Sequence, residues 1–258
     1  MLTADQLAEF DRDGWVKLEG AFSLDDARSM QTALWGELGH KYGMHPDQPS
    51  TWTPVTPTGL KNTKRNKRFD AILGAPLREA LDQLLGEGRW KPPKQWGNVL
   101  VNMPQPGPWR VPHKIWHTDF GYESHLRIDP PFAVKIWALF DDIEPGGAGT
   151  PQLLGSHRLT RSWLSAHPGQ GTDYTVVRDR IMRSDPWLRA LGSDDDDPGR
   201  NERFMVEGTE IDGVRLRVAE CTGAAGDVYV THGWIFHTLA TNHSSRPRMM
   251  RSAAFYRQ

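Results

Sequence analysis

The chain has 258 residues, enough for one large domain or two small ones with a sizeable core. Its 31 Lys and Arg against 32 Asp and Glu leave a formal net charge of -1, which excludes the long-range basic field that binding to a phosphate backbone requires. One cysteine, Cys221, rules out an intrachain disulfide framework and a thiolate zinc cage, and no run approaches the roughly 18 apolar residues of a membrane span. The opening residues carry acids where a secretory leader needs basic and then apolar ones, so the expected location is the cytoplasm, with neither nucleic acid nor membrane as a partner. With 11 Trp, 19 Pro and 25 Gly in a chain only 38% hydrophobic, the composition favours many short strands joined by turns over a helical bundle. The 10 His are then the place to look for chemistry.

In chain order, Thr3 and Gln6 have capping-box spacing ahead of Leu7 and Phe10 and predict a helix that stops at Asp13-Gly14. Trp15, Val16 and Leu18 predict a brief strand. Ser23 and Asp26 then cap a second helix, in which Ala27, Met30, Leu34 and Leu38 recur at helical spacing. Over residues 39–68 periodicity disappears among Pro46, Pro49, Pro54 and Pro57, ending in the basic group Lys61, Lys64, Arg65, Lys67 and Arg68. This reads as a long surface loop, with a lid over a site as the alternative. Pro76, Leu77, Leu81, Leu84 and Leu85 predict a third helix, ended by Gly86 and Gly88.

Beyond it the pattern changes to short β-branched and aromatic segments separated by turn clusters, at 97–103, 115–120, 132–140, 204–206, 214–218, 227–230 and 249–256. Helices followed by strands predict one α+β, mainly β domain over residues 1–258, an antiparallel sandwich or barrel with helices packed outside. The four consecutive Asp within 193–198 read as a solvated loop, since the Gly and spaced Glu of a calcium loop are missing.

His117 and Asp119 stand two apart, which on a strand places both side chains on one face, and imidazole with carboxylate suits iron, manganese or zinc. His45 and Asp47 share that spacing, but Pro46 and Pro49 remove strand pairing there. A third ligand must come from another strand, and His232, His237 and His243 are available. His237 precedes the turn-rich stretch Thr241-Asn242-His243-Ser244-Ser245-Arg246-Pro247, so a hairpin would return Arg248 beside it. Two His and one carboxylate on a triangular face leave three positions open, the pattern of non-haem Fe(II) oxygenases, and an Arg behind them is a bidentate carboxylate clamp.

Four ordered segments carry a family resemblance: LTADQLAEFDRDGWVKLEGAFSLDDARSMQ, HTD, KIWALFDDIEPGGAGTPQLLGSHR and GDVYVTHGWIFHTLATNHSSRPR. Together they resemble the phytanoyl-CoA dioxygenase family of Fe(II)- and 2-oxoglutarate-dependent oxygenases over nearly the whole chain. The resemblance implies a double-stranded β-helix (jelly-roll, cupin-like) core with flanking N-terminal helices, with His117, Asp119 and His237 as the catalytic iron ligands. It implies that Arg248, eleven residues beyond His237, clamps the distal carboxylate of 2-oxoglutarate, that Trp137 lines the cosubstrate pocket and that Asn102 donates to it. Leu239 departs from the Ser that many members carry at that position, and Thr238 or Thr241 is the available substitute. The expected cofactors are Fe(II), 2-oxoglutarate and O2, and the expected reaction is hydroxylation of a C–H bond with release of succinate and CO2. Halogenation is not expected, because Asp119 fills the position that halogenases of this type leave to a small residue.

A non-catalytic jelly-roll binding module, or a cupin-like metal protein without oxygen chemistry, is the competing reading, and Arg248 discriminates against it. Near-neutral charge, and Pro and Trp along Pro104-Gln105-Pro106-Gly107-Pro108-Trp109, favour a small or medium-sized metabolite, such as a natural-product intermediate, over a CoA thioester.

Overall fold

The structure, a computed structural model, describes residues 1–122, 129–167 and 173–258. Helix α1 (Ala4–Asp13) begins at the predicted capping box, where the Thr3 hydroxyl accepts from Gln6 N and the Gln6 side chain accepts from Thr3 N, and it ends on Gly14 at φ 80°. Strand β1 (Trp15–Leu18) leads to α2 (Leu24–Tyr42), capped by Ser23, which buries Ala27, Met30, Leu34 and Leu38. Each large apolar side chain so buried stabilises by roughly 1.5–3 kcal/mol, more than a cap at about 1 kcal/mol, so the stripe holds this helix in place. Helix α3 (Ala75–Leu85) follows with Leu77, Leu81, Leu84 and Leu85 buried.

Two antiparallel sheets form the centre. Strands β2 (Val99–Asn102), β3 (Ala133–Leu139), β7 (Val228–His232) and β9 (Arg248–Tyr256) join β1 in a five-stranded sheet of order β1-β7-β3-β9-β2. Strands β4 (Pro151–Leu154), β5 (Thr209–Ile211), β6 (Val214–Glu220) and β8 (Phe236–His237) make a four-stranded sheet of order β5-β6-β4-β8. The pleat sorts β3 cleanly: Val134, Ile136 and Ala138 pack with α2 and α3, while Trp137 and Leu139 pack with Leu154, Ala219 and Cys221 across the gap between sheets. Behind the small sheet, Leu153, Val218 and Phe236 meet α4 (Ser156–Ala166), α5 (Tyr174–Arg183) and α6 (Pro186–Leu191) through Leu159, Val177, Ile181 and Leu188. Helices therefore cover both outer faces, and the inner faces meet each other.

Several expectations change. Residues 204–206 lie in a turn of π-helix, Glu202–Glu207, with Phe204 buried against Trp187, so aromatic content there marks helical packing and not a strand. Residues 115–120 form no strand, since the Ile115 φ of 55° breaks the extended path and leaves a single bridge at His117. Gly155-Ser156-His157, where Gly and Ser lead the sequence to be read as a tight turn, opens α4 at a glycine whose φ is 80° and whose added Cβ would strike Arg215 O. The His237-to-Arg248 connection is no hairpin: β8 pairs with β4 and β9 with β2 and β3, so the stretch between crosses from one sheet to the other.

The basic stretch ending the long loop is fastened down in short 3-10 turns at Asn62–Arg65 and Lys67–Leu73. The Glu37 carboxylate accepts from Asn62 N at 2.9 Å and Thr63 N at 3.0 Å, Arg251 donates to Thr63 O, and Phe69, Ile72 and Leu73 join the outer core. These contacts set the stretch on the outer face of the large sheet, opposite Trp137, and not over the inner face. The Asp run is also engaged. Arg200, 3% exposed, pairs with Asp195 at 3.1 Å and donates to Val111 O and Pro112 O, while Arg110 reaches Asp195 O, Asp197 O and the Asp196 carboxylate. These ties hold the loop that enters His117.

Candidate metal centre

Around the metal motif, alternate residues point inward and outward. Trp116 and Thr118 are buried, the first donating to Pro112 O at 3.1 Å and the second to Phe120 O at 3.0 Å. His117 and Asp119 are left to face the other side. His117 N donates to His237 O at 3.0 Å and His237 N to His117 O at 2.8 Å, a reciprocal pair that sets the two rings 4.4 Å apart between centroids. His237 Nε2 lies 3.2 Å from Asp119 Oδ2 and His117 Nε2 lies 3.9 Å from Asp119 Oδ1. The three ligand atoms all lie within 4.8 Å of one another. Metal–ligand bonds of about 2.0–2.2 Å put neighbouring ligands about 3–3.5 Å apart, so small side-chain rotations bring this set onto one ion.

The ring hydrogen bonds decide which nitrogen is free. His117 Nδ1 meets Ile115 O at 2.8 Å and His237 Nδ1 meets Ile235 O at 3.4 Å. A carbonyl only accepts, so His117 Nδ1 carries the proton and its Nε2 presents a lone pair to the centre, while His237 Nε2 stands within hydrogen-bond reach of the Asp119 carboxylate. Burial pushes the His237 imidazole down to about 4, against the opposing pull of Asp119, so at neutral pH it is uncharged. For Asp119 burial works upward, but the His237 hydrogen bond and the Lys135 charge outweigh it and hold the carboxyl well below the usual carboxylate range. An uncharged His237 imidazole and an ionised Asp119 are protonation states that suit a divalent cation.

Lys135 on β3 was missed by sequence reasoning. Its ammonium lies on Asp119 Oδ2 and 4.3 Å from the Trp137 ring centroid, and burial lowers its pKa against the raising effect of Asp119. The available signal was its position two before Trp137, hence on the same face. Trp137 is 2% exposed, donates from Nε1 to Thr231 Oγ1 at 3.1 Å, and stands edge-on to the His237 ring at 5.0 Å.

Arg248 opens β9 directly opposite Asn102 of β2. It is 3% exposed, and its Nη1 donates to Ala148 O at 3.0 Å and Thr150 Oγ1 at 3.4 Å while its Nε is buried without a hydrogen-bond acceptor. Among the described residues no carboxylate pairs with it, and burial lowers its pKa to about 10. A buried guanidinium without an anion is costly, which marks the place where an anionic ligand fits. Asn102 gives its Nδ2 to Ala240 O at 2.8 Å and keeps a buried Oδ1 without a partner. Gln152, paired in register with His237, likewise has a buried, unpartnered Oε1, and nothing in the sequence pattern singled it out.

Thr238 donates its hydroxyl to Lys114 O, and Leu239 is 60% exposed, so neither stands with Arg248. The structure thus brings together His117, Asp119, His237 and Trp137, sets Arg248 beside Asn102, and turns Thr238 to another task.

No family model matches the chain, and no curated protein matches it. Solved structures do. HygX from Streptomyces hygroscopicus, solved with nickel and 2-oxoglutarate bound, aligns at 14% identity over 100% of this chain and 88% of its own, with a TM-score of 0.53. EvdO2 from Micromonospora carbonacea var. aurantiaca aligns at 15% identity over 100% of this chain and 91% of its own, with a TM-score of 0.54. SnoK, a non-haem α-ketoglutarate-dependent carbocyclase from nogalamycin biosynthesis, aligns at 13% identity over 99% of this chain and 84% of its own, with a TM-score of 0.52. At these identities the likeness is one of fold: the chain shares the fold of HygX, EvdO2 and SnoK.

Proposed function

We propose that this protein is an Fe(II)- and 2-oxoglutarate-dependent oxygenase with a jelly-roll core that hydroxylates a C–H bond of a small or medium-sized metabolite. The observation that carries this reading is the pairing of one His-Asp-His cluster with a buried, anion-free Arg248 in the same inter-sheet space. A binding module of the same fold needs neither. His117, Asp119 and His237 would hold the iron through two Nε2 lone pairs and one carboxylate. Arg248 would take the distal carboxylate of 2-oxoglutarate by two parallel hydrogen bonds, and Trp137 would wall the cosubstrate against the large sheet. Bound there, iron with 2-oxoglutarate and O2 supplies the oxidising power for C–H cleavage, releasing succinate and CO2.

This chain's own part is positioning. The inter-sheet space keeps water from the cosubstrate, Trp137 fixes the His237 ring edge-on, and the Arg200 ties steady the loop before His117. Asp119 occupies the third ligand position, which favours hydroxylation over halogenation. The solved relatives include a carbocyclase and an epimerase, so ring closure or epimerisation following the same C–H cleavage belongs to the reading. The deciding experiment follows succinate from 2-oxoglutarate under Fe(II) and air against a panel of natural-product intermediates. Substrate-stimulated succinate with an oxygenated or two-electron-oxidised product supports the reading; no succinate from iron-loaded protein, or a chlorinated product, overturns it.

A further inference from the structure

A cavity of about 440 Å³ is walled by the segment that enters His117, by the Asp run and by the segment that leaves His237. Lys114, three residues before His117, and Leu239, two residues after His237, both line it. A chain covers at most about 3.6 Å per residue, so these two wall positions lie within about 11 and 7 Å of the backbone of the two imidazole ligands. The Thr238 hydroxyl donates to Lys114 O and ties the two segments together there. The volume falls in the roughly 300–1,000 Å³ range of small-molecule sites.

Most charges in this wall are already matched. Arg200 pairs with Asp195 at 3.1 Å, Arg110 reaches Asp196 at 3.5 Å, and His113 Nδ1 lies 3.4 Å from Asp194 Oδ1. Lys114 is exposed, so water meets its charge. A charged ligand competes with these pairs, whereas a neutral one leaves them in place. What the wall leaves unmet is one donor and one acceptor. Trp109 Nε1 and His113 Nε2 are buried without a hydrogen-bond partner, and both side chains line the cavity. With Asp194 facing Nδ1, Nε2 is the acceptor of the neutral His113 ring. Polar atoms buried in this way are costly until something meets them. A hydroxyl both donates and accepts, so it is the smallest neutral group that serves the two. Pro108, Val111, Pro112 and Leu239 supply apolar wall for the carbon skeleton that carries it.

We propose that this cavity is the substrate site and takes an uncharged, hydroxyl-bearing part of the substrate, with Trp109 donating to a hydroxyl oxygen and His113 accepting from a hydroxyl hydrogen. This deepens the oxygenase reading and rests on it. The test is ligand-observed NMR on protein loaded with 2-oxoglutarate and either Mn(II) or diamagnetic Zn(II). The probe is p-nitrophenyl β-D-glucopyranoside, and the control is its tetra-O-methyl ether, which has no hydroxyl to donate. Wild-type protein is expected to bind the glucoside at least about fivefold more tightly than the ether, and Mn(II) should broaden the sugar protons where Zn(II) does not. Trp109→Phe and His113→Leu should each weaken glucoside binding about three- to tenfold, the loss of one neutral hydrogen bond, while His113→Gln, which keeps an acceptor, should hold it within about twofold of wild type. Equal affinity for glucoside and ether, or glucoside binding that both Trp109→Phe and His113→Leu leave unchanged, overturns the proposal. So does glucoside binding without broadening by Mn(II), which would put the sugar away from the metal centre. A tenfold loss of 2-oxoglutarate affinity in Trp109→Phe or His113→Leu would make the residue a support of the fold and also overturn its role. Failure of Mn(II) and 2-oxoglutarate to bind the wild-type protein would instead remove the oxygenase reading itself.

Discussion

His117 and His237 exchange both of their backbone hydrogen bonds, at 3.0 and 2.8 Å, across two segments far apart in the chain. The bridge is isolated, so these two bonds set the backbone spacing beneath the two rings. The metal centre is thus attached to the backbone at its two imidazole ligands, while Asp119 reaches it by side chain from the same loop.

Metal affinity should follow that arrangement. Removing any one of His117, Asp119 or His237 by substitution with Ala is expected to weaken Mn(II) binding by more than the roughly 10–100-fold typical of losing an outer partner of a ligand. Electron paramagnetic resonance of free Mn(II) measures it directly. Full Mn(II) occupancy in all three variants would refute the assignment.

Arg248 makes a separable claim. Lys reproduces its charge but not the two parallel donors of a guanidinium, so Arg248→Lys should raise the concentration of 2-oxoglutarate needed for half-saturation about ten- to a hundredfold while Mn(II) affinity stays within about threefold. Ultraviolet difference titration of the metal-bound keto acid reads the first and resonance the second. An unchanged requirement would take Arg248 out of the site.

Much of this centre was legible in the sequence because period-two spacing reports a shared face without any tertiary information. His117 with Asp119, and the apolar stripe of α2, are of that kind. What was not legible depends on which sheet a strand joins. Nothing local tells that β8 and β9 belong to different sheets, so the hairpin expected between His237 and Arg248 gave the right neighbours through the wrong connection. Gln152 reads as an ordinary polar residue until its register opposite His237 is known. The Asp run, taken as solvated, gains its role only when Arg110 arrives from elsewhere in the chain and neighbouring Arg200 folds back on Asp195.

Stability should carry a pH signature from Glu220. Burial pushes its carboxyl up from 4.5 to about 7, opposed only by the hydrogen bond from Gly146 N at 2.8 Å, and its Oε1 is buried without a partner. A carboxyl raised on folding binds its proton more tightly in the native state, so its contribution is present below pH 4.5 and is lost as pH rises through about 7. The difference is on the order of 3 kcal/mol. Urea unfolding at pH 4.5 and pH 8 should therefore show Glu220→Gln gaining on the wild type at the higher pH by roughly that amount. A constant difference between the two proteins at both pH values would show that Glu220 is ionised in the native state.

Coenzyme A is the substrate handle that a resemblance to acyl-CoA oxygenases would first bring to mind, and the fold argues against it. Three phosphates and an adenine need cations at the pocket mouth, and the densest basic group is Lys61, Lys64, Arg65, Lys67 and Arg68. That group is held by Glu37 and Arg251 on the outer face of the large sheet, whereas Trp137 and the triad lie on the inner side. The sheet itself stands between them, so the charge cannot swing over the site without breaking the Phe69, Ile72 and Leu73 core. Free CoA and acetyl-CoA are accordingly expected not to bind the protein loaded with Mn(II) and 2-oxoglutarate at concentrations up to about 1 mM, an affinity worth less than roughly 4 kcal/mol. Reversing Lys64, Arg65 and Lys67 to Glu should leave 2-oxoglutarate binding unchanged. Micromolar CoA binding that this triple reversal abolishes would reinstate the thioester and require the basic stretch to leave the outer face.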